Sequence, residues 1–543
     1  GAQNTAMGQS ALRLNTTGGY QVALGANALA ANTTGADNTA VGYGALDANT
    51  TASNNCALGK SALSGNTTGS ENTALGTSAL LANTTADNNT AVGYNALVSN
   101  TTGAGHVAVG KQALKDCTTA NSNTAVGQLA ASALTTGWAC VAIGDQAMGA
   151  GVVTGNSNNA VGFQAGENLT TGSNNNFFGT YAGEETTTGD YNIAIGQEAL
   201  EANQTGSNNV AIGFRSLEAN TGSTNTAVGS YSLYLSTTGT HNCAFGYDAL
   251  GDNTTASYNS AFGANALAQN TTGTNNCAFG YYALNANTGG NNSAFGFEAL
   301  DANTTGGDNT SVGAHSLQTN TTGQYNTAVG QAALNANSTG DSNTAVGQGA
   351  LRYCTVDNNS AFGKSALETN TTGTYNQAFG RQALASATTA NHNNAFGYQA
   401  MMDITTGANN VAMGSHAMYE ATTCNDCVAV GYWALGNAAV TGVQNVAIGK
   451  ESGMAMTSGY RNTLVGGYAG NAISTGYNNT CVGNIAAYNG LGTGYNNTVI
   501  GYNAQPSAND SNNQITLGDA NVDNLRCADT SISSLSDRRD KTD

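Results

Sequence analysis

Along nearly the whole chain one short phrase returns: Asn, a small or hydroxylated residue, Ala, a large apolar residue, then Gly. Residues 38–42 read NTAVG and residues 72–76 read NTALG. The position before the glycine is apolar in every copy, as in Met7, Leu24, Val41, Ile143, Phe178 and Phe262. The position before that is Ala in 25 of 31 copies, among them Ala40, Ala125, Ala261 and Ala429. The glycines fall at 8, 25, Gly42, Gly59, Gly76, 93 and 110, and onward through Gly263 and Gly330 to 518, mostly in steps of 17. Steps of 16 end at Gly229, Gly296 and Gly363, and steps of 18 at Gly162, Gly449 and Gly501. The slack falls in the NTTG stretch, as in NANTGGNN at 285–292. Turns tolerate such length changes, which makes NTTG a turn.

A fixed period of this size marks a solenoid, whose units bury their apolar faces only by stacking. Asn, Thr and Gly are weak helix formers, and no phrase is long enough for an amphipathic helix. The pattern therefore predicts an all-β fold, a parallel β-solenoid (β-roll) of about 31 coils with a 17-residue repeat. NTAVG is expected as one strand, the following SAL or QAL phrase as a second, and NTTG with its flanks as the return. At ~4.8 Å per stacked strand, 30 steps give a rod on the order of 140–150 Å. Asn38 and its counterparts Asn72, Asn309 and Asn343, with the Asn of NTTG, are expected to stack as side-chain amide ladders.

Neighbours on a strand point to opposite faces. Since Ala and the large apolar residue adjoin, both faces of the strand are non-polar, and one of them can line the coil. A long apolar stripe is rarely left in water, so copies of the chain are expected to associate along it. Which residue faces which way stays open at this point. The alternative is a single-chain solenoid thin enough to use both residues internally.

Composition narrows the functional classes. Among 543 residues there are 72 Gly and one Pro, and only 8% are charged, which suits a closely packed backbone better than a core of large side chains. With 14 Lys and Arg against 32 Asp and Glu, the net charge of -18 repels nucleic-acid phosphates and anionic lipid surfaces, so neither is expected as a partner. No apolar run is long enough for membrane insertion. The chain opens inside its own repeat, which leads us to expect a dissimilar capping segment before Gly1.

Nine of the ten Cys occupy slots of the repeat. Cys56, Cys243 and Cys277 replace Thr or Ser, and Cys117 and Cys354 replace the Asn of NTTG. They read as free thiols in small slots. Cys424 and Cys427, in CNDC, lack the second pair that a four-ligand metal site requires. No metal and no cofactor is expected. The five His (His106, His241, His315, His392 and His416) are scattered, and Glu184 and Glu185 read as isolated surface carboxylates. An enzyme acting on an external substrate is therefore disfavoured.

The one-phrase coil is similar to the head β-rolls of trimeric autotransporter adhesins and to the repeat shafts of phage tail fibres. The autotransporter unit is shorter than 17 residues, so the likeness covers the phrase and not its length. It implies a homotrimer. Beyond Gly518 the repeat stops, and residues 534–543 read SLSDRRDKTD. This segment resembles the junction that opens the intramolecular chaperone of endosialidase family, a self-cleaving serine peptidase domain at the C-terminus of phage tail fibres and tailspikes. The family pattern is SDxRxK, matched by Ser536, Asp537, Arg539 and Lys541. The resemblance implies Ser536 as nucleophile, Lys541 as general base and Asp537 as the first residue of the released fragment, with Arg538 and Arg539 holding the junction. A Ser hydroxyl does need such a base to attack. The chaperone body itself is absent from this chain.

These readings divide the chain into a repetitive shaft, 1–518, a transition segment, 519–535, and the start of a chaperone junction, 536–543. The expected function is a structural tail-fibre shaft of a tailed phage or prophage, in the virion or outside the cell, involved in attachment to a host saccharide or protein receptor. The alternative is a bacterial trimeric adhesin or filament. Tyr43, Tyr94, Tyr247, Tyr281, Tyr398, Tyr432 and Tyr502 follow the coil glycine. Such rings can stack on sugars, but stacking on one another is the stronger expectation. An ice-binding solenoid is disfavoured because the Thr pairs sit in turns of varying length.

Overall fold

Each coil contains a strand of only three residues, because the glycine that follows turns the chain out of the sheet. A computed structural model describes residues 3–524 and 526. The chain divides into two units, Gly1–Asn326 and Thr327–Asp543. The first holds the strands from β1 (Thr5–Met7) to β19 (Thr310–Val312), and the second those from β20 (Thr327–Val329) to β31 (Ile515–Leu517). Within each unit successive strands pair in parallel, one coil apart. In the first, Thr39, Ala40 and Val41 lie against Val22, Ala23 and Leu24. In the second, Ser360, Ala361 and Phe362 lie against Thr344, Ala345 and Val346. No helix occurs among the described residues. The protein is an all-β parallel solenoid with a 17-residue repeat, as its period predicts.

The coil glycine is required by contact as well as by conformation. Gly42 has φ 137°, and a Cβ there would lie 2.4 Å from the carbonyl oxygen of Gly59. Gly59, Gly76, Gly263 and Gly330 meet the next coil in the same way, at 2.4 to 2.7 Å. Adjacent backbones touch, and no side chain fits between them.

The segment after the glycine is not the second strand that the sequence suggested. Ser61 and Leu63 both have φ 55°, left-handed values, and the SAL phrase curls inward as a turn. The physical reason lies in burial. Ala62 and Leu63 are both 0% exposed, whereas a strand would send these neighbours to opposite faces. Left-handed backbone costs about 1–2 kcal/mol per residue, and burying a Leu side chain returns about 1.5–3 kcal/mol. The turn still hydrogen-bonds from coil to coil, with Leu63 N–H donating to Ala79 O at 2.9 Å.

Two columns of buried Asn complete the interior. In the first, Asn32 Nδ2 donates to Asn15 Oδ1 at 2.9 Å and to Gly35 O at 3.0 Å, and Asn49 repeats the first bond to Asn32 at 2.8 Å. In the second, Asn55 N–H donates to Asn38 Oδ1 at 3.0 Å, while Asn38 Nδ2 donates to Ala52 O at 2.9 Å. Asn410 N–H and Asn393 Oδ1 show the same link in the second unit, at 3.1 Å. The expected amide ladders are therefore present. An unsatisfied buried amide would cost about 1–3 kcal/mol, and in these stretches the adjacent coil supplies the partner.

Departures from the repeat are coupled between strand and turn. Gly166 and Gly183 vacate the Leu slot in two successive coils, and the intervening strand carries Phe177 where others carry Ala. A Cβ on Gly183 would fall 2.5 Å from that ring. In the second unit Leu464 fills the space left at Gly453 and Gly470, at 2.8 and 2.7 Å. A large residue on the strand thus enters the space that two neighbouring turns give up.

One cysteine expectation is corrected. Cys424 and Cys427 are joined as a disulfide. Cys427 occupies the buried Asn column and Cys424 the inward turn slot just before it, with Cα atoms 6.5 Å apart, within disulfide reach. The other described cysteines, Cys56, Cys117, Cys140, Cys243, Cys277, Cys354 and Cys481, are free.

Replacing Gly42 with Ala is expected to lower stability by on the order of 3 kcal/mol, through backbone collision and strain. The control is Gly44→Ser: a Cβ there has 3.8 Å of clearance, and Ser61 occupies the matching slot with left-handed backbone. Denaturant midpoints of the two variants measure the difference. Equal midpoints would contradict the close-contact role of the coil glycine.

Candidate functional site

Strand alternation settles which way the repeat faces. Ala40 and Ala261 are fully buried inside the coil, and the large apolar residue beside each points outward. Leu58 is 44% exposed, Phe396 47% and Met413 48%. The alternative in which a thin coil hides both residues is thereby corrected. In each unit the outward residues line up one per coil. Phe245, Phe262, Phe279 and Phe295 stack with centroids 4.4 to 5.1 Å apart. Phe362, Phe379 and Phe396 stack at 4.7 and 4.3 Å. The neighbouring outward column is mixed, with Thr and Ser beside Val22, Ile193 and Gln377, and it includes exposed Cys56 and half-buried Cys243 and Cys277. Each unit therefore carries a continuous apolar column on the outside of the single chain, a stripe that a lone soluble chain seldom leaves exposed.

The tyrosines after the coil glycine form a separate column, on the turn that leaves the strand. Tyr43, Tyr94 and Tyr502 are exposed, at 59%, 53% and 67%. Four others touch neighbouring rings: Tyr247 meets Tyr231 edge-on at 6.0 Å, and Tyr281 stacks on Phe297 at 5.6 Å. Tyr398 and Tyr432 flank His416, which stacks on Trp433 at 4.7 Å.

The charged groups contain a feature that the sequence reading missed. Glu184 is not isolated. Glu167, Glu184, Glu201 and Glu218 each stand five residues after a coil glycine and form a column through four successive coils. Burial, followed by the charges of Glu201, Glu167 and Glu185, pushes the Glu184 carboxyl up to about 7. Glu198, Glu201 and Glu218 bring carboxylate oxygens within 4.8 Å of one another. Arg215 Nε supplies their countercharge, 2.5 Å from Glu198 and 3.3 Å from Glu218. Counting residues from each coil glycine would have revealed this column.

His106 stands in the buried Asn column and performs both tasks of the amide it replaces. Its Nδ1 accepts the Asn123 N–H at 3.2 Å, and its Nε2 lies 2.7 Å from Ala120 O, which fixes the neutral tautomer with the proton on Nε2. Burial holds its pKa below the ordinary imidazole value. Cys117 Sγ lies 3.7 Å from Nε2, but burial pushes that thiol up to about 12. The pair is neutral packing and lacks the thiolate that a nucleophile needs.

Of the residues singled out from sequence, Asn38, Ala40, Val41 and the coil glycines come together as the strand and its turn. Ser536, Asp537 and Lys541, with Arg538 and Arg539, lie outside the described residues. Among the described residues no helix is long and apolar enough to cross a membrane. No known family model matches the chain, and no curated protein matches it.

A buried neutral His links stability to pH. Unfolded His106 takes up a proton near pH 6.5, whereas the folded site resists it, so the folded state loses stability as pH falls through that range. His106→Asn removes this term. The variant is expected to gain on the wild type as pH drops from about 7.5 to 5.5, measured by denaturant midpoints at both values. A difference that stays constant with pH would contradict the buried neutral assignment.

Proposed function

We propose that the chain is the shaft of a tailed-phage attachment fibre, in which three copies associate through their outward strand faces. One observation carries this reading: the unbroken apolar column that faces away from the coil in each unit, half exposed and ring-stacked over several coils. A closed cyclic assembly sets each residue at the same height as its copies, so Phe ladders would meet Phe ladders. Three is the number that the likeness to trimeric β-roll heads implies.

The proposed mechanics follow from the coil. Main-chain bonds tie each coil to the next through strand and turn alike, which suits a stiff spacer. SDRRDKTD favours the phage reading over a bacterial surface adhesin. In that reading the Ser536–Asp537 bond is where a folding-assistant segment is released, with Lys541 as the base. Ice binding fits less well. The neighbouring outward column mixes Val22, Thr39, Cys56, Asn159, Ile193 and Gln377, which gives no regular Thr lattice.

Light scattering on the purified chain is expected to give three times the 54.3 kDa protomer mass. Phe262→Ser with Phe279→Ser should weaken assembly while leaving the coil folded, because both rings point outward. A short bis-maleimide should join chains through exposed Cys56. A wild-type particle of protomer mass, with no interchain product, would contradict the proposal.

A further inference from the structure

The second unit contains a cleft of about 260 Å³, just below the ~300–1,000 Å³ typical of small-ligand clefts. It spans three coils on the turn that follows the strand, and none of the outward apolar residues lines it. Gln331, Gln348, Arg352, Lys364, Ser365 and Glu368 line it. Gly349 opens it. In the same slot of later coils stand Gln382 and Gln399, both with left-handed backbone like Gly349 itself, at φ 57°, 55° and 66°. A Cβ on Gly349 would point toward Ser365 Oγ and Glu368 Oε1, at 3.7 Å from each, so its absence is what leaves the space.

The charge of this cleft runs against that of the protein. The chain has 14 Lys and Arg against 32 Asp and Glu, yet Arg352 and Lys364 here face one carboxylate, Glu368. That carboxylate holds Arg352 only loosely, at 4.0 Å from Nη1. Arg352 Nε is shielded from water and has no hydrogen-bond partner. The guanidinium is nevertheless held in place, 5.2 Å over the Tyr353 ring. Gln348 Nε2 donates to Gln331 Oε1 at 3.3 Å, which orients the two amides side by side.

We propose that this cleft binds a carboxylate-bearing sugar, a hexuronate unit of an acidic polysaccharide. The sugar carboxylate takes the charge-assisted donors of Arg352 and Lys364. Its ring hydroxyls meet the amides of Gln331 and Gln348, the Ser365 hydroxyl and the Glu368 carboxylate, which together supply both donors and acceptors. Glu368 disfavours a phosphate dianion, and the amides and hydroxyl exceed what a simple carboxylate could use. The inference rests on the attachment reading for its setting, since it names a receptor chemistry. The cleft belongs to a single chain, however, and its failure would leave self-association untouched.

Calorimetric titration of the full chain with D-glucuronate, D-glucose and acetate tests it, alongside Arg352→Gln and Gly349→Gln. The second variant fills the cleft with a side chain that this slot already accepts in later coils. Saturable glucuronate binding in the millimolar range is expected, with glucose and acetate weaker by about tenfold or more, and a loss of about tenfold or more in each variant. Acetate binding as tightly as glucuronate would reduce the cleft to an anion site and overturn the sugar assignment. Absent glucuronate binding, or binding unchanged in both variants, would overturn the site. Light scattering on the same samples reads the assembly state separately.

Discussion

Backbone contact between successive coils is the constraint on which the rest of the structure depends. With Gly59 O only 2.4 Å from where a Gly42 Cβ would stand, coils stack at the spacing of hydrogen-bonded strands and no wider. An interior wound this tightly holds the strand Ala, an Ala-Leu pair and two amides per coil. It has no room for the large residue beside the strand Ala, which is forced outward. The apolar column on the surface is thus a direct consequence of the thin coil.

The same constraint governs polar groups. Asn can be buried because an identical Asn stands one coil away to answer it, and His106 is tolerated because two ring nitrogens answer the same two partners. Repetition also stacks like charges, as in the Glu column, where burial first and the neighbouring carboxylates second raise the Glu184 pKa. Arg215 relieves that column at the Glu218 end. Surface columns therefore behave as units, and their chemistry is set by what recurs every 17 residues.

Much of this was legible in the sequence. Period, strand position, turn position and Asn ladders follow from residue type and spacing alone. The facing of Ala and its neighbour did not, because both are non-polar and only the width of the coil separates them. The supposed second strand failed because Leu63 adopts a left-handed backbone, a choice that propensity disfavours and that burial beside Ala62 enforces. Adjacent apolar residues do not separate the two segments, because Ala40 and Val41 adjoin on the true strand as well. The disulfide at Cys424 depends on a turn geometry that spacing does not specify. Opening a cleft at Gly349 depends on which of three stacked turns lacks a side chain, and that becomes visible only once the coils are superposed.

A fibre assembled through the outward face predicts a pattern of protection along each coil. Hydroxyl-radical footprinting of the native particle, read residue by residue by mass spectrometry, tests this directly. The account predicts that Met413 and Phe396 are protected although each is nearly half exposed in the single chain, while Tyr43 and Tyr94 on the turn are labelled freely. Met413 and Phe396 labelled as fully as their single-chain exposure implies would show the face open to water and contradict the account.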